Sequence, residues 1–100
     1  MIRGTTPKHT FNVPMDTGRI KCLKLTYTQL DEVILTKRTK DFTFGDRQVS
    51  VKLNQEETFL FNSDVNVTLQ LRGLTVEGDV ISTNALTVDV EKCLDDEVLV

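Results

Sequence analysis

The sequence predicts an all-β protein. The expected fold is an antiparallel β-sandwich of about seven to eight strands, Ig-like or jelly-roll-like, with one short helical turn near residues 54–60. A small barrel is the alternative way to close the same strands. Three observations lead there. Composition is the first: one alanine, Ala85, stands against 14 Thr, 12 Val and 4 Ile in 100 residues. Alanine is the best helix former, and β-branched side chains fit a pleated surface. The second is period-two alternation of apolar and polar residues, which marks strands with one buried side. The third is turn chemistry at regular short intervals. The length allows one domain, residues 1–100, with a small core.

The elements follow in order. Lys8 to Val13 is the first strand, ended by Pro14, which lacks the N–H a ladder needs. Met15 to Gly18 is a turn. Ile20 to Gln29 puts Leu23, Leu25 and Tyr27 on one face and Lys24, Thr26 and Thr28 on the other. Leu30-Asp31-Glu32 turns the chain into Val33 to Thr39, whose lysine and arginine residues fit a solvent-facing or edge strand. Phe42 and Phe44 alternate before a Gly45-Asp46 turn. Gln48 to Leu53 points Val49, Val51 and Leu53 inward. Asn54 is a candidate N-cap, and Gln55, Glu56 and Glu57 fill a first turn where negative charge is favoured. Phe59 and Phe61 should then enter the core.

Asp64 to Thr75 carries the strongest alternation, with Val65, Val67, Leu69 and Leu71 inward, and Gly73 is read as a bulge or a strand end. Glu77-Gly78-Asp79 is a hairpin turn leading to Val80 and Ile81. Ala85 to Lys92 closes the sheet, with Leu86, Val88 and Val90 inward. The remaining LDDEVLV is acidic, with apolar residues among its carboxylates.

The net charge of −3 gives no broad attraction for nucleic acid or an anionic lipid surface, so neither is an expected partner. No apolar run approaches the roughly 20 residues that span a bilayer, and the opening residues do not read as a signal peptide. Cys22 and Cys93 read as two reduced thiols. His9 is the sole histidine, Ser50, Ser63 and Ser82 are the sole serines, and no G-x-S-x-G elbow is present, so a catalytic triad is not expected. No C-x-x-C or H-x-x-x-H spacing offers a metal site, and Asp95, Asp96 and Glu97 are contiguous rather than spaced as in a calcium loop. Neighbouring Glu56 and Glu57 diverge by about 100° on a helical turn and do not face one substrate. No isolated glycine belongs to a phosphate-cradling loop, and Asn66-Val67-Thr68 fits the glycosylation sequon by chance. No cofactor and no catalytic residue is expected.

Charge is divided along the chain. Residues 1–50 carry nine Lys and Arg against five Asp and Glu, a charge of +4, which leaves −7 for residues 51–100. Such a molecule can stack head to tail. Binding nucleic acid would need aromatics among the basic residues, and Tyr27 is the only one between Lys21 and Lys40.

Four stretches carry a family likeness: Thr6 to Phe11 (T-P-x-H-T-F), Tyr27 to Gln29 (Y-x-Q), Leu53 to Thr58 (L-x-Q-E-E-T) and Asp96 to Val98 (D-E-V). With them, nearly the whole chain resembles a group of short structural proteins of Firmicutes phages and prophages. The strand order and the corner at Leu53 to Thr58 also resemble, more weakly, the N-terminal β-sandwich domain of phage upper baseplate proteins. Those proteins continue into a helical or receptor-facing region, which these residues do not contain. The resemblance implies a virion, tail or baseplate-associated structural protein, made in the bacterial cytoplasm and carried in the virion. Its partners would be other virion or tail proteins and further copies of itself, and it implies no catalytic residue.

On this reading the contact surfaces are the arm, Met1 to Lys8, and the segment Cys93 to Val100. Ile2, Leu94, Val98, Leu99 and Val100 are apolar residues that no inward alternation explains. That segment either packs back on its own domain or docks on a neighbour. The alternatives are a small binding module for carbohydrate, disfavoured by the absence of Trp and the single Tyr, and an accessory protein that binds a host protein.

Overall fold

The computed structural model describes all of residues 1–100 and shows two antiparallel sheets packed as layers. The strands are β1 (Lys8–Asn12), β2 (Ile20–Gln29), β3 (Glu32–Arg38), β4 (Phe42–Gly45), β5 (Gln48–Lys52), β6 (Val67–Thr75), β7 (Val80–Ser82) and β8 (Leu86–Val88), with one helical turn, α1 (Gln55–Thr58). The small sheet has the order β1-β5-β4; the large one has β3-β2-β6-β7, with β8 also on β6. The extents of 46 × 30 × 16 Å fit two sheets stacked about 10 Å apart.

The chain visits the layers alternately. β1 pairs with β5 and β2 with β6, so the two central ladders join segments far apart in sequence. Fourteen buried apolar side chains fill the space between the layers. Leu23, Leu25 and Tyr27 of β2 and Val67, Leu69 and Leu71 of β6 face Phe11, Phe42, Val49 and Val51 of the small sheet. The alternation read from the sequence thus gives the inward face of each main strand.

Several details differ from the sequence expectation. Strand β6 begins at Val67, because Asp64 adopts a positive φ of 64° and turns the chain first. Gly73 neither ends the strand nor marks a bulge; it lies within the ladder opposite Leu23 and Ile81. A Cβ there would stand 3.0 Å from the Leu23 side chain and 3.3 Å from that of Ile81, so close packing explains the glycine. The register shift of this ladder falls between Ile20 and Cys22 instead. Phe61 enters the core, whereas Phe59 is only half-buried because it covers Gly4 near the surface. Leu86 stands opposite Leu69, on the inward side of the ladder, yet it is exposed because β8 is a short strand at the edge.

β7 and β8 share one edge of β6. β7 pairs with Arg72–Leu74 and β8 with Val67–Leu69. Thr83 bridges the gap, its N–H donating to the Leu71 carbonyl (2.9 Å) and its hydroxyl accepting from the Leu71 N–H (3.1 Å). The large sheet is therefore four ladder positions wide although it contains five strands.

The β2–β3 hairpin turns on two residues, Leu30 at φ 50° and Asp31 at φ 63°. Both left-handed positions suit Asn-Gly, and a leucine there is strained as well as exposed. Replacing Leu30→Asn together with Asp31→Gly is expected to stabilise the fold by about 1 kcal/mol. Thermal unfolding should then show a midpoint several degrees higher; an unchanged or lower midpoint would contradict this strain.

Candidate functional site

The stretches Thr6 to Phe11, Tyr27 to Gln29 and Leu53 to Thr58 lie together, joined by His9 with Tyr27 and by the Leu53 N–H on the Pro7 carbonyl (3.0 Å). Tyr27, fully buried, stacks against His9 and Phe61, each with a ring-centroid distance of 5.7 Å. Its hydroxyl lies 2.7 Å from His9 Nδ1. Burial pushes the Tyr27 phenol well above its ordinary range, with a smaller push from the Glu57 carboxylate, so the group remains a neutral O–H. Burial also holds His9 below the usual imidazole value, helped by the positive Met1 amino group. The histidine is thus committed to a tyrosine hydroxyl across the layers.

Gln29, two residues on, is buried and fully engaged. Its Nε2 donates to the carbonyls of Asn62 and Val65, both at 2.9 Å, and its Oε1 accepts from the Asn62 N–H at 2.8 Å. One side chain thereby fixes the connection from α1 to β6.

The corner from Leu53 to Thr58 is a capped helical turn to which distant parts of the chain are bonded. Asn54 Oδ1 accepts from the Glu57 N–H and Glu57 Oε1 accepts from the Asn54 N–H, a reciprocal capping box. The other Glu57 oxygen holds the Lys37 ammonium, and both side chains are largely enclosed. The lysine and arginine residues of β3 predict a solvent-facing or an edge strand. β3 is an edge strand, but Lys37 shares the inward register of Leu25, and Glu57 makes its burial tolerable. The buried Thr58 hydroxyl accepts from the Gly4 N–H (2.9 Å) and lies 3.0 Å from the Thr5 carbonyl.

The arm and the closing segment are joined to this corner. Ile2 forms a parallel bridge with Glu91; Arg3 N–H donates to the Glu91 carbonyl and Glu91 N–H to the Met1 carbonyl. The Arg3 guanidinium contacts the Asp96 carboxylate at 3.2 Å, donates to the Phe59 carbonyl and sits 5.3 Å from the Phe59 ring centroid. Gln55 takes both backbone groups of Leu99, each at 2.8 Å.

Of the two fates open to the closing segment, packing back on its own domain is the one observed for its backbone. The side chains do not follow. Leu94 is 99% exposed and Leu99 74%, Val100 is fully exposed, Ile2 is exposed and Val98 is half-buried. The five residues singled out in the sequence therefore lie along two segments that Arg3 joins to each other through Asp96 and that Gln55 ties to α1 through Leu99.

No group of three His, Cys, Asp or Glu side chains converges to hold a metal ion. Both cysteines are free thiols. No helix is long and apolar enough to cross a membrane. Comparison of the chain with family models, curated proteins and solved structures gives no match.

The sequence could suggest the Asn54 cap but not the partners of Lys37, Gln29 or Gln55, which are distant in the chain. Two outcomes follow. Asn54→Ala is expected to lose about 1 kcal/mol, the worth of an N-cap. Glu57→Ala should lose about 2–4 kcal/mol, since it removes a cap contact and leaves a buried ammonium unpaired. Urea unfolding measures both, and equal losses would mean the ion pair contributes nothing.

The lowered His9 value sets a pH dependence. Unfolding restores an imidazole that protonates at about 6.5, above the folded value, so the unfolded state gains the proton first as pH falls. The contribution is full above that pH and is lost as pH falls through about 6.5 toward the folded value. Urea midpoints should fall between about pH 7.5 and about pH 5.5, and His9→Gln should flatten that slope. A slope of the same size in the variant would place its origin elsewhere.

Proposed function

We propose that this protein is a non-enzymatic structural component that works by protein–protein assembly. Its contact surface is the stitched arm and closing segment. The observation that carries this reading is a segment held in place by Gln55 and Arg3 that still presents Leu94, Leu99 and Val100 to solvent. Ordering a backbone without burying its apolar side chains is unfavourable for an isolated domain. Covering each such side chain on a partner contributes about 1.5–3 kcal/mol. The family likeness supplies the setting: a phage virion, tail or baseplate, with other virion or tail proteins and further copies of this chain as partners.

Two features support a structural role over a chemical one. His9 is held by the buried Tyr27, and Glu57 is held by its capping box and Lys37. The carbohydrate-binding alternative loses its only tyrosine to the core, and a host-protein partner has no feature of its own in its favour.

The test is self-association and incorporation into particles, read by sedimentation velocity and native mass spectrometry. The expected result is concentration-dependent association that L94S/L99S/V100S weakens at least tenfold while the thermal midpoint stays unchanged. A chain that is monomeric at every concentration and absent from particles would overturn the reading.

A further inference from the structure

The outer face of the large sheet carries a feature that the core and the stitched segments leave unused. Lys24 of β2 lies directly opposite Arg38 of β3 on one side and Arg72 of β6 on the other. All three side chains are exposed, and none takes part in the four ion pairs of the molecule. Adjacent strands are about 4.8 Å apart, so the row spans about 10 Å. Like charges directly opposite one another on a sheet repel. The rest of this face, built from residues such as Thr26, Thr36, Gln70, Thr68 and Ser82, offers no carboxylate in register with them, and Asp41 beside the row accepts from the Arg38 backbone N–H (2.9 Å) and forms no ion pair with any of the three side chains. A chain with 15 acidic residues has placed none of them at these positions.

The adjacent row is apolar. Cys22, Leu74 and Val80 stand side by side across β2, β6 and β7, and Val80 is exposed. Between the two rows runs a shallow groove of about 340 Å³. A fitting occupant would present carboxylates next to an aliphatic side chain.

We propose that this groove receives the Leu94 to Glu97 segment of a second copy of the chain. Asp95 and Glu97 set against the Arg38–Lys24–Arg72 row, and Leu94 covers Leu74 and Val80. The argument is charge complementarity. The segment offers three carboxylates in sequence, of which Asp96 is held by its own Arg3 while Asp95 and Glu97 have no ion pair. Leu94 beside them is almost fully exposed. The same molecule does not satisfy the row itself. Its closing segment is anchored on α1, and α1 lies on the inner side of β3, where Glu57 meets Lys37. The row points out of the opposite face. Groove and segment are different surfaces, so the contact is heterologous and builds a ring or a filament.

This inference rests on the assembly reading and names its partner. The experiment is sedimentation velocity with native mass spectrometry at low and high salt, on the full chain, with two charge-reversed variants. K24E/R38E/R72E reverses the row, and D95K/E97K reverses the segment while leaving Asp96 to Arg3. Each alone is expected to self-associate at least tenfold more weakly, and an equimolar mixture should re-form an alternating assembly. High salt should weaken the wild-type assembly. The neutral variant K24S/R38S/R72S controls for folding: it should lose assembly with a thermal midpoint no lower than wild type, since it removes repulsion. If association persists in both reversed variants but fails in L94S/L99S/V100S, the groove is not the docking site and the assembly reading survives. A monomeric wild type that binds a DNA oligonucleotide through the row would overturn the proposal in favour of phosphate. A monomeric wild type that binds no DNA would overturn this proposal, and one that is also absent from particles would overturn both readings.

Discussion

Tyr27 is the point at which two sheets become one body. A chain of this length has few side chains large enough to bridge a gap of about 10 Å between layers. Tyr27 lies in the middle of the large sheet, flanked in the ladders by Leu35 and Leu69. Its ring meets His9 from the small sheet and Phe61 from the connection beyond α1. Burying a phenol demands a hydrogen-bond partner, and His9 supplies it, so position 9 is tied to position 27 by chemistry as well as shape. With that joint in place, the inward residues of β2, β5 and β6 close over it as a single core.

The second joint is the α1 corner, which works through polar groups. Lys37, Gly4, Thr5 and Leu99 all come to a helical turn of four residues. Each bond is individually modest. Together they fix the arm, the edge strand β3 and the closing segment relative to one another. His9, Tyr27, Gln29, Gln55, Glu57 and Thr58 are all groups that hold one part of the chain to another.

Much of this was legible in the sequence. Alternation alone identified Leu23, Leu25, Tyr27, Val49, Val51, Leu53, Val67, Leu69 and Leu71 as inward, because a half-buried strand leaves a period-two trace. Asn54 was readable as a cap because capping is local. What was hidden depends on distance in the chain. Lys37 is a cation on an edge strand until Glu57, twenty residues later, is placed beside it. Gly73 reads as a break until Leu23 and Ile81 close over it. The shared edge of β7 and β8 depends on Thr83 standing in for a ladder residue. Ile2, Leu94, Val98, Leu99 and Val100 were found by the reverse logic, as apolar residues without an inward register. The cationic row was visible only as scattered lysines and arginines until the registers aligned three of them.

The proposed contact surface depends most on the two layers forming one welded unit, since it can hold a partner in register only if its own body does not shear. Native-state hydrogen exchange in low denaturant measures this directly. The account predicts that the slowest amides of the small sheet, at Val49 and Val51, and those of the large sheet, at Leu25 and Leu71, exchange with a common free energy and a common denaturant dependence. Exchange of the small-sheet amides through a separate opening of much lower free energy, with the large sheet still protected, would contradict it.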